Sequence, residues 1–484
     1  MVATPRVRIA PSPTGFFHVG TARTAYFNWL IARQDPAGVF VLRIEDTDEE
    51  RNRDEWVDVI VDSMEWLKLN PDLGPYRQSE FRGAHRAAAD SLRLGGLAYY
   101  CDCTADDVAA RKGEDKTPGY DGFCRERGLD AHERTALRFK TPLEGVTRVH
   151  DEIRGDVDFE NRVIGDFVIA KSSGDVLYAL ANVVDDRRDR ITHVIRGEEH
   201  LANAPKQLLL WRALDEVTGE SVPEPVYAHT PLLVNEQRKK LSKRKDPVST
   251  TAYRDDGYVV EAFVNYLALL GWSPRGGEEV VDRDTVISQF RLSDVSHSPA
   301  FFDVKKLTAM NGDYIRRMTP DEFVVACQPW VNPDQAPWAP EGRRPPWAPQ
   351  EFDADLFTRV APLVHERIST LGEVPAMVGF FFQRDLVLDE AAFHKSLASD
   401  EVGQQIVRQV LRGVDEVEWN SAELHALVVE VGARLELSLR RAQAPVRVAV
   451  TGTPVGPPLF ESMEILGRDL VRQRLAHALE RCSD

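Results

Sequence analysis

Cysteine is scarce in this sequence, and long apolar runs are missing. The 484 residues include five cysteines, too few for a disulfide framework. Cys101, Cys103 and Cys124 lie close together, while Cys327 and Cys482 stand apart. Clustered thiols in a reducing compartment point to a metal rather than to bridges. No run approaches the roughly 20 apolar residues of a membrane-spanning helix. The opening Met1-Val2-Ala3-Thr4-Pro5-Arg6 lacks the apolar core of a signal peptide, so a cytoplasmic protein with no membrane partner is expected. No internal repeat is visible. Positive charge is in deficit, with 60 Lys and Arg against 77 Asp and Glu, a net charge of −17. Taken alone, that deficit argues against a polyanionic partner. Binding, however, follows local patches, and cations cluster at Arg238-Lys239-Lys240-Leu241-Ser242-Lys243-Arg244-Lys245. An acidic background with basic islands suits an enzyme that binds nucleic acid and then releases it.

The length implies two to four domains. Val7-Arg8-Ile9-Ala10 is short and β-prone, and Pro11-Ser12-Pro13-Thr14-Gly15 breaks it. A helix with Ala22, Tyr26, Trp29 and Leu30 on its apolar face follows, then a buried-type strand over Val39 to Ile44. Asn52 is a candidate cap for the next helix. This β-loop-α-β opening begins a doubly wound nucleotide-binding fold. The region from about Tyr99 to Asp175 interrupts it. Strands at His193–Arg196 and Tyr227–His229 return to it. Thr319-Pro320-Asp321-Glu322 is a capping box with proline at the first helical position. The Pro- and Trp-rich stretch from Gln328 to Gln350 reads as a long surface loop, and amphipathic helices follow to the end.

Two stretches carry chemistry. In Pro11-Ser12-Pro13-Thr14-Gly15-Phe16-Phe17-His18-Val19-Gly20-Thr21, a loop opens into a helix whose free N–H groups can face an anion. His18 can hydrogen-bond a phosphate, and Gly20 leaves room for a flat ligand. The bland alternative is a buried histidine beside a tight turn. In Lys240-Leu241-Ser242-Lys243-Arg244, cations on a loop can neutralise charge that builds on a triphosphate. The bland alternative is a solvated basic loop.

Together the two stretches resemble the paired signatures of class I aminoacyl-tRNA synthetases. The resemblance continues through Arg43-Ile44-Glu45-Asp46-Thr47-Asp48, Gly74-Pro75-Tyr76-Arg77-Gln78-Ser79, Asn182-Val183-Val184-Asp185-Asp186 and Ile191-Thr192-His193-Val194-Ile195-Arg196-Gly197-Glu198-Glu199. It reaches Asn311-Gly312-Asp313-Tyr314-Ile315 and Pro445-Val446-Arg447-Val448-Ala449-Val450-Thr451-Gly452. In order and spacing these are similar to bacterial glutamyl-tRNA synthetases over nearly the whole chain. The implied fold is α/β. A Rossmann-type class I catalytic domain lies in two halves, 1–98 and 176–250, around an inserted acceptor-binding domain at 99–175. A helical stem-contact domain at 251–325 and an all-helical anticodon-binding domain at 326–484 complete it. The implied reaction activates L-glutamate with ATP and Mg²⁺ to glutamyl-adenylate and transfers it to the 3′ end of tRNA(Glu). The residues leave tRNA(Gln) open as a further acceptor, and a monomer is the family expectation.

The resemblance assigns glutamate to Arg8, Ala10, Ser12, Glu45, Tyr178, Asn182 and Arg196. Arginine forks suit its side-chain carboxylate, and Glu45 can accept its ammonium group. It assigns ATP to Gly15, His18, Gly20, Thr21 and Lys243, with His18, Lys240 and Lys243 as the catalytic groups. Cys101, Cys103 and Cys124, with Tyr120 as fourth ligand, match the structural zinc site of some members. Three free thiols are the alternative. Arg367 and Arg447 match anticodon-facing positions, where unstacked bases are read. A surface salt bridge is the alternative for each. Some positions depart from the pattern. The first signature ends in Thr21 rather than histidine, Glu126 stands where a histidine is sometimes found, and the segment before Gly74 is short. The nearest rival reading, a glutaminyl-tRNA synthetase, would carry a β-barrel C-terminus where this chain has helical periodicity after Glu351. Two further rivals are a non-catalytic tRNA-binding paralogue and a small-molecule adenylyltransferase. The first would be expected to lose signature residues, and the second has no use for an anticodon domain.

Overall fold

β1 (Arg6–Ile9) alternates arginine with Val7 and Ile9 and β2 (Val39–Ile44) is apolar apart from Arg43, yet both are buried along nearly their whole length. They run parallel, Arg8 opposite Val41, joined by α1 (Val19–Arg33), most of whose residues are buried. In the computed structural model, residues 4–47, 51–113, 119–241, 247–335, 345–383 and 385–482 are described. α2 (Asp54–Trp66) follows β2, and Arg53, not Asn52, takes its cap position without a side-chain bond. Asp54 and Glu55 in its first turn supply favourable charge instead. β3 (Leu73–Arg77) and α3 (Arg82–Leu94) complete this half.

Residues 99–175 feed two sheets. β4 (Ala98–Cys101), which leads into α4 (Ala105–Lys112), pairs with β5 (Ala136–Phe139) in a separate three-stranded sheet. β6 (Val146–Asp151) and β7 (Gly155–Glu160), followed by the short α5 (Asn161–Ile164), instead extend the main sheet. β8 (Val168–Ala170) is the third strand of the small sheet. α6 (Tyr178–Arg188), β9 (His193–Gly197), α7 (Ala204–Thr218) and β10 (Val226–Thr230) then return to the main one.

The main sheet has the order β3-β2-β1-β9-β10-β6-β7. Its strands are parallel except at the antiparallel β6–β7 pair. The chain builds outward from β1 to β3 and then restarts on the other side of β1 with β9. Beyond the carboxyl ends of strands at such a reversal lies the natural crevice of a doubly wound fold.

These elements belong to one compact unit, residues 1–252 with 263–303. The second unit, 253–262 with 304–484, has no strand among its described residues. Thr319 and Glu322 form the expected capping box, with Pro320 at the start of the helix Pro320–Val331. One core of this unit gathers Phe323, Trp330, Phe357 and Phe381, and another gathers Leu397, Ile406, Leu424 and Val446. The stretch from Gln328 to Gln350 is therefore not a surface loop throughout. The helix extends to Val331, and Trp330 and Trp347 are buried. The Trp347 indole N–H donates to the Val331 carbonyl at 3.0 Å. Two tryptophans carry too much apolar area to leave in water. Residues 336–344 of this stretch lie outside the described residues. No helix among the described residues is long and apolar enough to cross a membrane.

Candidate active site

A cleft of about 1340 Å³ opens at the β1–β9 reversal. Its lining includes Arg8, Ala10, Ser12, Gly15, His18, Gly20 and Thr21 from the first strand–helix junction. Glu45, Tyr178, Asn182, Arg196 and Lys240 join them. Lys243 lies outside the described residues. On α6, Tyr178, Asn182 and Asp186 are spaced four apart, so they share one helix face.

Behind the cleft, Asp186 sits between two guanidinium groups. Arg8 reaches it through Nε at 3.1 Å and Nη2 at 3.3 Å, and Arg43 through Nη1 at 2.8 Å. Arg43 is fully buried and also pairs with Glu45 at 3.5 Å. Burial by itself would raise the Asp186 carboxyl. Arg8 and Arg43 more than offset this and hold it below the usual carboxylate range. Glu45 goes the other way: burial pushes its carboxyl up, against the pull of Arg43, Arg8 and Asn182. Asn182 donates to Glu45 at 2.7 Å and accepts from Gln207 at 3.0 Å, which sets the orientation of its amide.

Arg196 is held differently. Its Nε donates to His229 Nε2 at 3.1 Å, its Nη2 to the His200 carbonyl at 3.3 Å, and its Nη1 to the Tyr178 hydroxyl at 3.5 Å. None of these partners is an anion. Burial and the nearby Arg196 charge pull His200 down to about 4, so it too is neutral at pH 7. The guanidinium of Arg8 is matched by a carboxylate, whereas that of Arg196 faces the cleft with its charge uncancelled by its partners.

His18 is the N-cap of α1, and its Nδ1 accepts the Gly20 N–H at 3.0 Å. A neutral ring in that role carries its proton on Nε2. Gly20 is explained by this cap, because a Cβ there would stand 3.3 Å from His18 Nδ1. The segment just past the basic loop returns to the same place. Val19 N–H donates to Val248 O at 2.9 Å, and Thr250 donates to Phe17 O through its N–H at 3.0 Å and its hydroxyl at 2.8 Å. The first signature stretch and the segment just past the basic loop, far apart in sequence, thus meet at one junction, and Lys240 and Leu241 line the same cleft. Lys240 pairs with Glu199 at 3.5 Å on the rim.

Away from the cleft, the sulfurs of Cys101, Cys103 and Cys124 all lie within 4.8 Å of one another. The Tyr120 hydroxyl is 3.4 Å from both Cys101 and Cys103. A tetrahedral zinc with bonds of about 2.3 Å to sulfur and 2.0 Å to oxygen needs separations of roughly 3.8 and 3.5 Å. The donor set fits that ion. In the second unit, Arg367 lines a cavity of about 400 Å³ with Phe323, His365 and Pro458. Arg447 donates to Pro457 O at 2.7 Å. Burial lowers its pKa, and the charge of Arg367 lowers it further, so the two arginines converge.

Several groups in and around the cleft escaped the sequence reading. Asp186 and Arg43 stood in motif strings without a role, although the four-residue spacing puts Asp186 on the same helix face as Asn182. His229 was visible only as a strand residue. Asp151, on β6, gave no signal.

Residues 4–309 match the profile described as tRNA synthetases class I (E and Q), catalytic domain, and residues 322–479 match an anticodon binding domain. The chain is 52% identical over 478 residues to a glutamate–tRNA ligase of Frankia casuarinae, covering 98% of each. It is 49% identical over 482 residues to that of Thermobifida fusca, again covering 98% of each. Among solved structures, it superimposes on the glutamate tRNA ligase of Elizabethkingia meningosepticum, crystallised with its amino acid. That superposition has a TM-score of 0.80 at 27% identity over 99% of both chains. With that catalytic profile spanning more than half its length and such relatives matching it end to end, the chain belongs to the glutamate–tRNA ligase family of class I synthetases.

Proposed function

We propose that this enzyme activates L-glutamate with MgATP and transfers it to the 3′-terminal ribose of tRNA(Glu). The observation that carries the residue roles is the pairing in one cleft of an arginine held only by neutral groups with a buried carboxylate–amide pair. Arg196 would meet the side-chain carboxylate, with Arg8 beside it. Glu45 and Asn182, with Tyr178, would take the amino-acid end, and Ala10 and Ser12 would line the loop. Gly15, His18, Gly20 and Thr21 would form the ATP floor, with His18 donating from Nε2. Lys240 and Lys243 would neutralise the triphosphate.

The glutamate α-carboxylate attacks the α-phosphorus, the α–β phosphoanhydride breaks, and pyrophosphate leaves. The tRNA ribose hydroxyl then attacks the adenylate carbonyl and AMP departs. No covalent enzyme intermediate is needed, because positioning and charge stabilisation carry the rate. Radiolabelled glutamate with purified tRNA(Glu) and tRNA(Gln) in parallel tests this. Charging of tRNA(Glu) alone makes the enzyme discriminating, and charging of both makes it non-discriminating. Charging of neither, with tRNA still bound, would favour a binding paralogue. Arg367 and Arg447 would face the anticodon, and a cytoplasmic monomer is the expected state.

Gly20→Ala is expected to push the His18 ring aside by a few tenths of an ångström and, by misplacing it, to lower kcat/KM for ATP up to about 10-fold. An unchanged value in ATP-varied pyrophosphate exchange would separate the cap from catalysis. Cys101, Cys103, Cys124 and Tyr120 would hold a zinc ion that cross-links the segment around β4 and α4 without entering the reaction. Elemental analysis is expected to find about one zinc per chain, and Cys103→Ser to release it and lower Tm. A zinc-free wild-type protein would end that assignment.

A further inference from the structure

We infer that Asp151 and His229 are positioning residues for glutamate selectivity, holding Arg196 in place without cancelling its charge. This rests on the reading that Arg196 meets the side-chain carboxylate. His229 and Arg196 are register partners on the neighbouring strands β10 and β9, so their side chains share one sheet face. His229 Nδ1 is 2.6 Å from Asp151 Oδ2, and both side chains are fully buried. His229 Nε2 is 3.1 Å from Arg196 Nε. A guanidinium can only donate, so His229 Nε2 must accept, and the ring proton must sit on Nδ1, donated to Asp151. Only the neutral imidazole in this one tautomer satisfies both contacts. Burial and Arg196 hold the ring below its ordinary pKa, against the pull of Asp151. Asp151 is itself anchored by the backbone N–H groups of Ile153 at 3.0 Å, Arg154 at 2.9 Å and His229 at 3.0 Å.

The arrangement separates two tasks that a carboxylate placed directly on Arg196 would confuse. Such a carboxylate would orient the guanidinium but also neutralise it, and a neutralised pair has little preference for a substrate carboxylate over an amide. Here the anion stands one ring away, and the group in contact is neutral. Asp151 ends β6, so the hairpin within residues 99–175 reaches behind the amino-acid pocket.

The test uses the full-length enzyme in tRNA(Glu)-dependent pyrophosphate exchange, with glutamate and ATP varied separately and glutamine as competitor. His229→Leu is expected to raise KM for glutamate about 10- to 100-fold and erode the preference over glutamine, leaving KM for ATP within about two-fold. In His229→Gln the amide oxygen can accept from Arg196 while its NH₂ donates to Asp151, so most of the selectivity should return. If His229→Leu fails to fold, Asp151→Asn carries the test. The Ile153 and Arg154 N–H groups that Oδ1 accepts keep the amide oxygen on their side. The NH₂ therefore faces Nδ1 and moves the ring proton to Nε2, against the Arg196 N–H, and the same glutamate-specific rise is expected. Equal shifts in both KM values, no rescue by glutamine at 229, or an unmoved glutamate KM in Asp151→Asn overturns the inference alone. A wild-type enzyme inactive with glutamate overturns the underlying reading as well.

Discussion

Arg196→Leu is expected to abolish glutamate activation while leaving the fold nearly unchanged. The leucine keeps much of the buried volume but offers a substrate carboxylate no cation and no donor. A site built to hydrogen-bond a group rejects a mismatch by about 10⁴, so kcat/KM for glutamate should fall at least about 10³-fold in tRNA-dependent exchange. The protein itself loses a donor to His229 Nε2, one to the His200 carbonyl and a long one to the Tyr178 hydroxyl. That is a matter of about 1–3 kcal/mol, and Tm should move by only a few degrees. Activity retained within ten-fold would remove Arg196 from the pocket. Arg8→Leu offers an internal contrast. It should also lose glutamate use, but it strips Asp186 of a bidentate partner, so activity and Tm should fall together.

The largest expected effect on stability comes from Asp186→Asn. Asp186 is the anion shared by Arg8 and Arg43, and Arg43 is fully buried. An amide in its place removes the carboxylate paired with Arg8 and leaves Arg43 with the more distant Glu45, Asp185 and Asp189. Breaking a buried pair in this way costs about 3–5 kcal/mol, which urea unfolding would read directly. The pH dependence follows from the sign of the shift. Asp186 is held below its ordinary pKa, so its contribution is present above the unfolded value of about 3.9 and is lost as pH falls through the folded value. The acid limb of the stability profile below about pH 4 should therefore be shallower in Asp186→Asn. Glu45, raised by burial, has the opposite sign: ionising it in the fold becomes a cost as pH rises past its unfolded pKa. An acid limb identical to wild type would show that the Asp186 pairs contribute nothing net.

The strand at Val39–Ile44 was readable because a strand covered on both faces needs a nearly continuous apolar run, here interrupted only by Arg43. The Thr319 capping box was readable because a cap is satisfied within four residues. The gathering of Cys101, Cys103 and Cys124 was readable because all three thiols fall within one short segment. By contrast, the tryptophans at 330 and 347 looked like loop residues beside so many prolines, until burial in a helical core claimed them.

The long-range pairings belong to another category. An arginine within a strand reads the same whether it balances a buried aspartate or faces a ligand. Arg8 balances Asp186, whereas Arg196 opens on the cleft with only neutral partners among the described residues. His18 looked like a ligand histidine and is also a helix cap, a role set by the backbone of Gly20. The return of the chain past the basic loop to the first signature depends on Thr250 meeting Phe17, and the hold on Arg196 depends on Asp151 arriving from an interrupting hairpin. Residue types, their periods and their short spacings are enough to specify strands, caps, the thiol cluster and the family's signatures, because those are satisfied locally. Which buried charge meets which depends on strand order, and strand order is chosen by the packing of the whole sheet.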